Sequence, residues 1–414
     1  MTSDPLPTGL TGRCVACEAP QSMYVPDYCA RCGAPVVLPP LDGPLPAPGT
    51  LPGVWRYAGR LPVAADSAWL TLGEGNTPLL SAGPAGDWCG LADLRLKLDQ
   101  LNPTGSFKDR ASAVGLAHAR ERGATTVLCA SSGNAAGSIA AYAARAGLRA
   151  VLLMPEAVPP GKLVMAQAHG AVVLRVRGDY SNAFTIGRAL AHRYGWINLT
   201  TTFVNPVAIA GMKTAGYEIA EQSSAVPDWI LVPVGAGPFV HGILTAFREL
   251  HAAGQIDRLP RLVGVQASGC APIADAYAHG LTEVRAWSDV DTIASGIADP
   301  LRGYPGDGTY TLRLLRESGG AAVAAQDTDI AEAAEILARR QGLLLEPAAA
   351  APLAAARTLR GNGVIARDDL VVCVLTGHGL KTLQSHGAAP TPVVDDVADA
   401  VARLAGYGVD VAGP

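Results

Sequence analysis

The sequence is poor in charged and aromatic residues. Charged residues make up 16% of the 414 residues and aromatic residues 5%, and the formal net charge is −4. No block or stripe of lysine and arginine occurs, which argues against nucleic acid as a partner. Because 49% of the residues are hydrophobic, a large core can be buried, and this composition excludes a disordered or fibrous chain.

Signals for export and membrane insertion are missing as well. The first ten residues, MTSDPLPTGL, have neither the basic start nor the apolar run of a secretion signal. No uninterrupted apolar stretch reaches about 18 residues, the length that suggests a membrane-spanning helix. We therefore expect a cytosolic protein with no membrane partner and no disulfide framework.

Four of the eight cysteines lie close together near the N-terminus. They form two C-x-x-C pairs separated by eleven residues: Cys14, Cys17, Cys29 and Cys32. Two such pairs suit a tetrahedral metal, because each offers two thiolates from a tight turn. The spacing predicts a zinc-ribbon-like knuckle over residues 12–37, and the alternative is four free cysteines in a loose tail. The remaining four are expected to be small buried hydrophobic residues: Cys89, Cys129, Cys270 and Cys373.

Apolar runs alternate with helix-like segments along most of the chain. After a Pro- and Gly-rich linker at residues 38–52, strand-like runs such as LRLKL, TTVLCA, WILVPV and LVVCVL are separated by Ala-rich stretches. Strands that alternate with helices at this spacing predict βαβ units and a mainly parallel sheet. The fold class expected from this pattern is α/β.

Four strand–turn–helix junctions carry the residues most suited to chemistry. They read N-P-T-G-S-F-K-D-R at 102–110, S-S-G-N-A-A-G-S at 131–138, P-V-G-A-G-P-F-V-H-G at 233–242, and L-T-G-H-G-L-K at 375–381. The amides at a helix start can bind a carboxylate or phosphate. Lys108 taken alone is more typical of a surface residue, and the small-residue turns could serve only packing. Together the four junctions favour a ligand site at the carboxyl ends of the strands.

These motifs resemble those of the fold-type II pyridoxal-5′-phosphate (PLP) enzymes, and within them the threonine synthases. The similarity extends from G-E-G-N-T-P at 73–78 to the L-T-G-H-G-L-K run, and includes V-N-P and G-M-K-T-A within 204–215, L-E-P-A at 345–348 and the cysteine knuckle. It implies a tryptophan synthase β-like fold, with two doubly wound parallel-sheet domains and the cofactor cleft between them. The implied domains are 53–110 with 216–388, and a small mobile domain at 111–215, followed by a tail at 389–414.

The resemblance also implies roles for individual residues. Lys108 would be the Schiff-base lysine and, once released, the general base and acid. The other implied cofactor contacts are Phe107 behind the ring, Asn134 at the 3′ oxygen, Thr376 at the pyridine nitrogen, and Gly235, Ala236 and Gly237 at the phosphate. The implied substrate-binding residues are Ser131, Ser132, Gly133, Ala135 and Lys213. A small amino acid would be the substrate, and a homodimer is expected.

The sequence departs from the family pattern where a substrate phosphate is held. Ala135 stands where the family usually has threonine, and Ala208 where it has an arginine that grips phosphohomoserine. Alanine cannot make a bidentate, charge-assisted contact. Ala236 and Phe239 replace asparagines, and Pro238 removes an amide donor from the cofactor-phosphate turn.

Two interpretations of these departures stay open. One is a changed substrate, an activated serine or homoserine such as a phospho or acyl derivative that undergoes β- or γ-elimination or replacement. The other is an authentic threonine synthase that makes threonine from O-phosphohomoserine and water, with Lys213 holding the phosphate. A non-catalytic PLP-binding protein is the alternative of another class.

Overall fold

The computed structural model describes residues 9–131, 133–158, 160–385, 394–395 and 397–407. The strands are β1 Thr11–Cys14, β2 Pro20–Ser22, β3 Val36–Val37, β4 Leu79–Ser81, β5 Asp93–Lys97, β6 Thr126–Ala130, β7 Arg149–Pro155, β8 Val172–Val176, β9 Ile197–Asn198, β10 Trp229–Pro233, β11 Arg261–Ala267, β12 Ala321–Ala325 and β13 Leu370–Val374. The helices are α1 Pro84–Cys89, α2 Lys108–Glu121, α3 Asn134–Ala146, α4 Pro160–Ala168, α5 Tyr180–Tyr194, α6 Pro206–Ala210, α7 Lys213–Gln222, α8 Pro238–Ala252, α9 Pro272–Ala278, α10 Pro305–Glu317, α11 Asp327–Gln341, α12 Pro347–Gly361 and α13 Val397–Gly406.

A six-stranded sheet forms the larger part of the structure, in the order β12-β11-β10-β13-β5-β4. Its pairs are parallel except for β4, which runs antiparallel to β5 at the edge. Every residue of β10 and β13 is buried, because helices cover both faces of a parallel sheet. The apolar runs WILVPV and LVVCVL therefore lie at the centre, as predicted for strands buried on both faces.

A second, four-stranded sheet is fully parallel, in the order β8-β7-β6-β9. Its central strands are β6, which is the predicted run TTVLCA, and β7, and α3 packs against both. The two sheets with their helices confirm the α/β expectation. The division of the chain into a large and a small domain at the stated boundaries stays a prediction.

The N-terminal knuckle has a small sheet of its own, in which β2 and β3 pair antiparallel with β1. Its strands are only two to four residues long. Its buried residues, among them Met23 and Val36, belong to the main hydrophobic core, so the knuckle packs onto the body of the protein.

A buried charge cluster anchors the start of α2. The guanidinium of Arg110 is fully buried and donates to both carboxylate oxygens of Asp99 and of Glu218. Asp109 accepts from the Thr104 amide and from the hydroxyls of Thr104 and Ser138. Because Arg110 is paired with two carboxylates and Asp109 accepts three hydrogen bonds, these buried charges hold the start of the helix in place.

Residues from 382 onward form a separate compact unit, in which α13 is the described helix. Among the helices that the structure describes, none has the length and apolar character required to cross a membrane.

Candidate active site

A cleft opens at the carboxyl ends of the strands of both sheets. Of the residues predicted to hold cofactor or substrate, nine line it: Phe107, Lys108, Ser131, Asn134, Ala135, Gly235, Ala236, Gly237 and Thr376. They come from all four strand–turn–helix junctions, which parallel strands bring to one edge. The structure thus brings together residues that are up to 269 positions apart, from Phe107 to Thr376.

Lys108 is the first residue of α2 and projects into this cleft. Its Nζ donates a hydrogen bond of 2.7 Å to Thr201 Oγ1 and lies 4.5 Å from the centroid of the Phe107 ring. Burial lowers the pKa of Lys108 to about 8, because the charged ammonium loses solvation. A lysine with this pKa has a substantial neutral fraction near neutral pH and is a competent nucleophile.

The wall beside Lys108 is aromatic. The Phe107 ring stacks on Phe239, which stands in the first turn of α8, with centroids 4.4 Å apart and planes at 21°. Phe239 thus presents an apolar surface at a position where the resemblance to threonine synthases predicts an asparagine.

The turn that precedes α3 is organised by Ser131. Its Oγ accepts hydrogen bonds from the amides of Gly133 and Ala136, at 3.0 and 3.2 Å. Among the described residues, Ser131 Oγ is seen only as an acceptor, so its proton can be donated to a ligand at the α3 N-terminus. Gly133 is buried outside the cleft lining, and Ser132 lies outside the described residues.

Asn134 is held by two residues whose roles the sequence did not reveal. Its amide nitrogen donates to Glu346, whose other oxygen pairs with Lys162 Nζ at 3.0 Å. The coulombic and hydrogen-bonding contacts of Lys162 and Asn134 outweigh burial, and the pKa of Glu346 is lowered. Asn134 Oδ1 is buried without a hydrogen-bond partner among the described residues.

Two glycines make room for this network. A Cβ on Gly133 would come 2.2 Å from Lys162 Cδ, and one on Gly377 would come 2.1 Å from Glu346 Oε2. Both positions therefore exclude a side chain while the Lys162–Glu346 pair is formed. Glu346 belongs to the L-E-P-A motif, which was the available sequence signal for it.

The turn 235–237 leads into α8, a helix of fifteen residues that starts at Pro238. Its amides lie at the positive end of the helix, where a phosphate binds favourably. Gly237 has φ +106°, and a Cβ there would come 2.0 Å from Thr311 Oγ1, which itself donates to the Ala236 carbonyl. The hydrogen bond and close packing of Thr311 thereby fix the conformation of the turn 235–237.

Several residues that line the cleft carried no sequence motif, and three of them bear polar groups near the Lys108 amine or the 235–237 turn. Asp299 accepts from the Leu301 amide and the Tyr304 hydroxyl through Oδ1, and its Oδ2 lies toward the Gly235 turn. Burial raises the pKa of Asp299 to about 6, so it is largely ionised above pH 7. Tyr180 and Thr201 are the other two.

Lys213 and Ala208 lie away from the cleft lining. The Lys213 ammonium is bound to both oxygens of the buried Glu249, at 3.0 and 3.2 Å. Ala208 is buried on α6. A Cβ placed on Gly115 of α2 would come 3.0 Å from the Cβ of Ala208. The substrate-binding role of Lys213 stays a prediction, and the geometry gives it no cleft contact.

The four knuckle cysteines converge. All four Sγ atoms lie within 4.8 Å of one another. Cys14 and Cys32 are 3.4 Å apart, and Cys17 and Cys29 are 3.7 Å apart. A tetrahedral zinc with bonds of about 2.3 Å places its sulfurs about 3.8 Å apart, so this donor set fits zinc.

The family model for pyridoxal-phosphate dependent enzymes matches residues 70–377. The chain belongs to this family. Threonine synthase from Methanocaldococcus jannaschii is 40% identical over 331 residues, which cover 80% of each chain. Threonine synthase from Mycobacterium leprae is 38% identical over 365 residues, covering 87% of this chain and 96% of the relative. The chain is therefore a member of the threonine synthase family, as the sequence motifs predicted, and a PLP-dependent lyase.

Solved structures with the same fold support the assignment of architecture. The processed form of threonine deaminase isoform 2 from Solanum lycopersicum superposes with a TM-score of 0.66 at 23% identity, over 84% of this chain and 97% of that one. This likeness shows the fold-type II arrangement. The cleft fits PLP, since it offers a lysine of lowered pKa, an unpaired buried amide oxygen at Asn134 and a helix N-terminus for the phosphate.

Proposed function

We propose that this PLP-dependent lyase acts on a small amino acid whose departing group at Cβ or Cγ is uncharged before it leaves, such as an acyl ester of serine or homoserine. The charge of the cleft wall carries this proposal. Among the described residues that line the cleft, the cations are Lys108 and Lys162, and Lys162 is already paired with Glu346. Lys108 is committed to the cofactor in this proposal and Asp299 adds a carboxylate to the same wall, so no cation among the described lining residues is left to offset the repulsion that a substrate phosphate would meet.

The predicted cofactor-binding residues and Ser131 each have a task in this proposal. Phe107, Asn134, Thr376 and the turn at Gly235, Ala236 and Gly237 would hold PLP, and Lys108 would carry it as an imine. When bound, PLP supplies an electron sink for the negative charge that develops at the substrate's α-carbon. The Ser131 hydroxyl, which keeps its proton free, would donate to the substrate carboxylate together with the amides at the start of α3.

The proton steps fall to Lys108. In the free state its Nζ donates to Thr201 Oγ1, which keeps the amine directed into the cleft. The nitrogen would accept the α-proton, and a group on Cβ would then leave as its carboxylate with the electron pair of the C–O bond. For a group on Cγ, a Cβ proton would also have to be removed, and Cγ would be protonated before water adds at Cβ. In a replacement reaction, the oxygen of water would bond to Cβ, Lys108 would return a proton to the α-carbon, and one proton of water would be released to solvent. The aromatic pair Phe107–Phe239 excludes water from one side of the site.

Authentic threonine synthase activity is the second candidate, and identities of 38 to 40% to threonine synthases favour it. The two candidates separate when the PLP-loaded enzyme is offered O-phospho-L-homoserine, O-phospho-L-serine, O-acetyl-L-serine and O-acetyl-L-homoserine, with phosphate, acetate, threonine and 2-oxo acids measured. We expect the acetyl esters to react with the higher kcat/KM. Threonine formation from phosphohomoserine as the best reaction would establish the second candidate. No spectral response to any amino acid would indicate a non-catalytic PLP-binding protein.

We also propose a structural zinc ion on Cys14, Cys17, Cys29 and Cys32. The mutual Sγ distances support it. Metal analysis of the purified protein tests the stoichiometry, for which we expect one zinc per chain.

A cytosolic homodimer completes the proposal. The eight cysteines are all free thiols, which suits a reducing compartment. The resemblance to threonine synthases supports the dimer. Light scattering during gel filtration should give twice the chain mass of 42.4 kDa, and a monomer mass would disprove it.

A further inference from the structure

Among the contacts between the cysteine knuckle and the rest of the protein, a buried tyrosine leads toward the cleft. Tyr28 directly precedes Cys29, and its side chain is 6% exposed. Its hydroxyl lies 3.0 Å from Asp307 Oδ2 and 3.3 Å from Thr202 Oγ1, and it hydrogen-bonds to both. The knuckle therefore reaches into the body of the enzyme with a polar group, where burial makes each hydrogen bond matter.

The partners of Tyr28 belong to the loop that meets Lys108. Asp307 Oδ2 also accepts from the Phe203 amide at 3.0 Å, so one carboxylate oxygen joins the knuckle tyrosine to this loop. Thr201, one residue before Thr202, receives the Lys108 ammonium at 2.7 Å. Three consecutive residues thus link the knuckle to the lysine.

The ring of Tyr28 leads to a second part of the cleft wall. It packs edge-on against Phe184, with centroids 6.4 Å apart, and Phe184 lies 4.3 Å from the Tyr304 ring. The Tyr304 hydroxyl donates to Asp299 at 2.7 Å. The hydroxyl and the ring of Tyr28 are therefore each connected, through intervening residues, to residues that line the cleft.

We propose that Tyr28 is a positioning residue, which holds the loop 201–203 so that Thr201 directs the amine of Lys108 into the cleft. The inference rests on the proposed role of Lys108 as the imine-forming lysine. Because Cys29 follows Tyr28 directly, a metal held by the four thiolates fixes the tyrosine in place. The knuckle thereby acts on the reactive lysine without touching substrate or cofactor.

The test is the rate at which cofactor-free protein captures added PLP, followed by its visible absorption and by borohydride trapping at Lys108. Loss of one buried hydrogen bond in Tyr28→Phe should slow capture about fivefold. Tyr24→Phe is the matched control, since Tyr24 is an exposed tyrosine of the same knuckle, and it should change the rate less than about twofold. Thr201→Val should slow capture as Tyr28→Phe does, and the double variant should add nothing further, because both act through the same contact.

Removal of the metal with a chelator should reproduce the Tyr28→Phe rate while the six-stranded sheet stays folded by circular dichroism. Equal capture rates for Tyr28→Phe and Tyr24→Phe would overturn the inference. If Tyr28→Phe does not fold, Thr202→Val removes a partner of the same hydroxyl, and a wild-type rate in that variant overturns it equally. Failure of the proposed function looks different, because wild-type protein would then form no adduct at Lys108.

Discussion

The Lys162 ammonium lies 3.0 Å from Oε1 of Glu346, and both side chains are buried at the edge of the cleft. Lys162 comes from α4 beside the four-stranded sheet, whereas Glu346 caps the start of α12 beside the six-stranded sheet. Replacing Lys162 by methionine leaves a buried carboxylate unpaired, and we expect the free energy of unfolding to fall by about 3 kcal/mol or more. Urea unfolding of the PLP-loaded protein measures this loss.

The exposed pair Arg339–Glu335 is the control for that measurement, since its side chains are 78% and 54% exposed. Arg339→Met should lower the stability by less than about 1 kcal/mol. Equal losses in the two variants would show that the Lys162–Glu346 pair contributes no more than a surface ion pair.

The lowered pKa of Lys108 predicts how PLP capture depends on pH. Capture requires the neutral amine, whose fraction rises about tenfold per pH unit below the pKa and levels off above it. With a pKa of about 8, the rate should rise from pH 6 to pH 8 and reach a plateau near pH 9. A rate that still climbs between pH 9 and 10 would indicate an ordinary, unburied lysine. Peptide mass mapping after borohydride reduction should place the adduct on Lys108 among the five lysines of the chain.

Asp299 should discriminate against a phosphorylated substrate. Asp299→Asn removes the negative charge but keeps an oxygen that can accept the Tyr304 hydroxyl. We expect kcat/KM for O-phospho-L-homoserine to rise about tenfold, since removal of one repulsive charge contact in the site is worth about 1.4 kcal/mol. Asp289→Asn, an exposed acid outside the cleft lining, serves as the control and should leave the ratio of phospho to acetyl substrates unchanged.

Two alanines that mark the departure from the family pattern should respond differently to replacement. Ala135 lines the cleft, so Ala135→Thr adds a hydroxyl that a phosphorylated substrate can use. Ala208 packs against Gly115, so the longer side chain in Ala208→Arg should overpack this helix contact and cost about 1–3 kcal/mol of stability. Phosphate release and thermal unfolding of both variants are the measurements. A stable Ala208→Arg enzyme with restored phosphohomoserine turnover would contradict this expectation.

The metal site of the knuckle should depend on each of its thiolates. Cys29→Ser replaces a soft ligand and should lower the bound zinc well below one per chain, measured by elemental analysis. Cys89→Ser is the matched control, because Cys89 is a buried thiol outside the knuckle, and it should keep its zinc. Full zinc occupancy in Cys29→Ser would show that this cysteine is not a ligand.

Much of the fold and about half of the site could be predicted from the sequence. Apolar runs such as WILVPV predict buried parallel strands, and the four glycine-rich junctions lie where strands end. Lys108, Asn134 and Thr376 share the cleft because parallel strands deliver their carboxyl ends to one edge. Local pattern and topology are sufficient for that part.

The remaining site residues depend on partners far along the chain. Lys162 is positioned by its ion pair with Glu346, 184 residues later in the chain. Asp299 is positioned by its hydrogen bond with the Tyr304 hydroxyl. An isolated lysine or aspartate on a segment without a motif gives no signal of such a pairing. Lys213 shows the converse, because a motif suggested a ligand contact whereas the folded chain satisfies its charge with Glu249.

The two residues that directly follow Lys108 hold the start of its helix in place without lining the cleft. Arg110 and Asp109 are fixed in a buried network that includes no residue of the cleft lining. Substitution of Ala135, Ala236 or Phe239 therefore changes substrate recognition and leaves the buried network that positions Lys108 intact. Substitutions of the residues that line this one cavity can therefore change the substrate during evolution, while the position of the reactive amine is preserved.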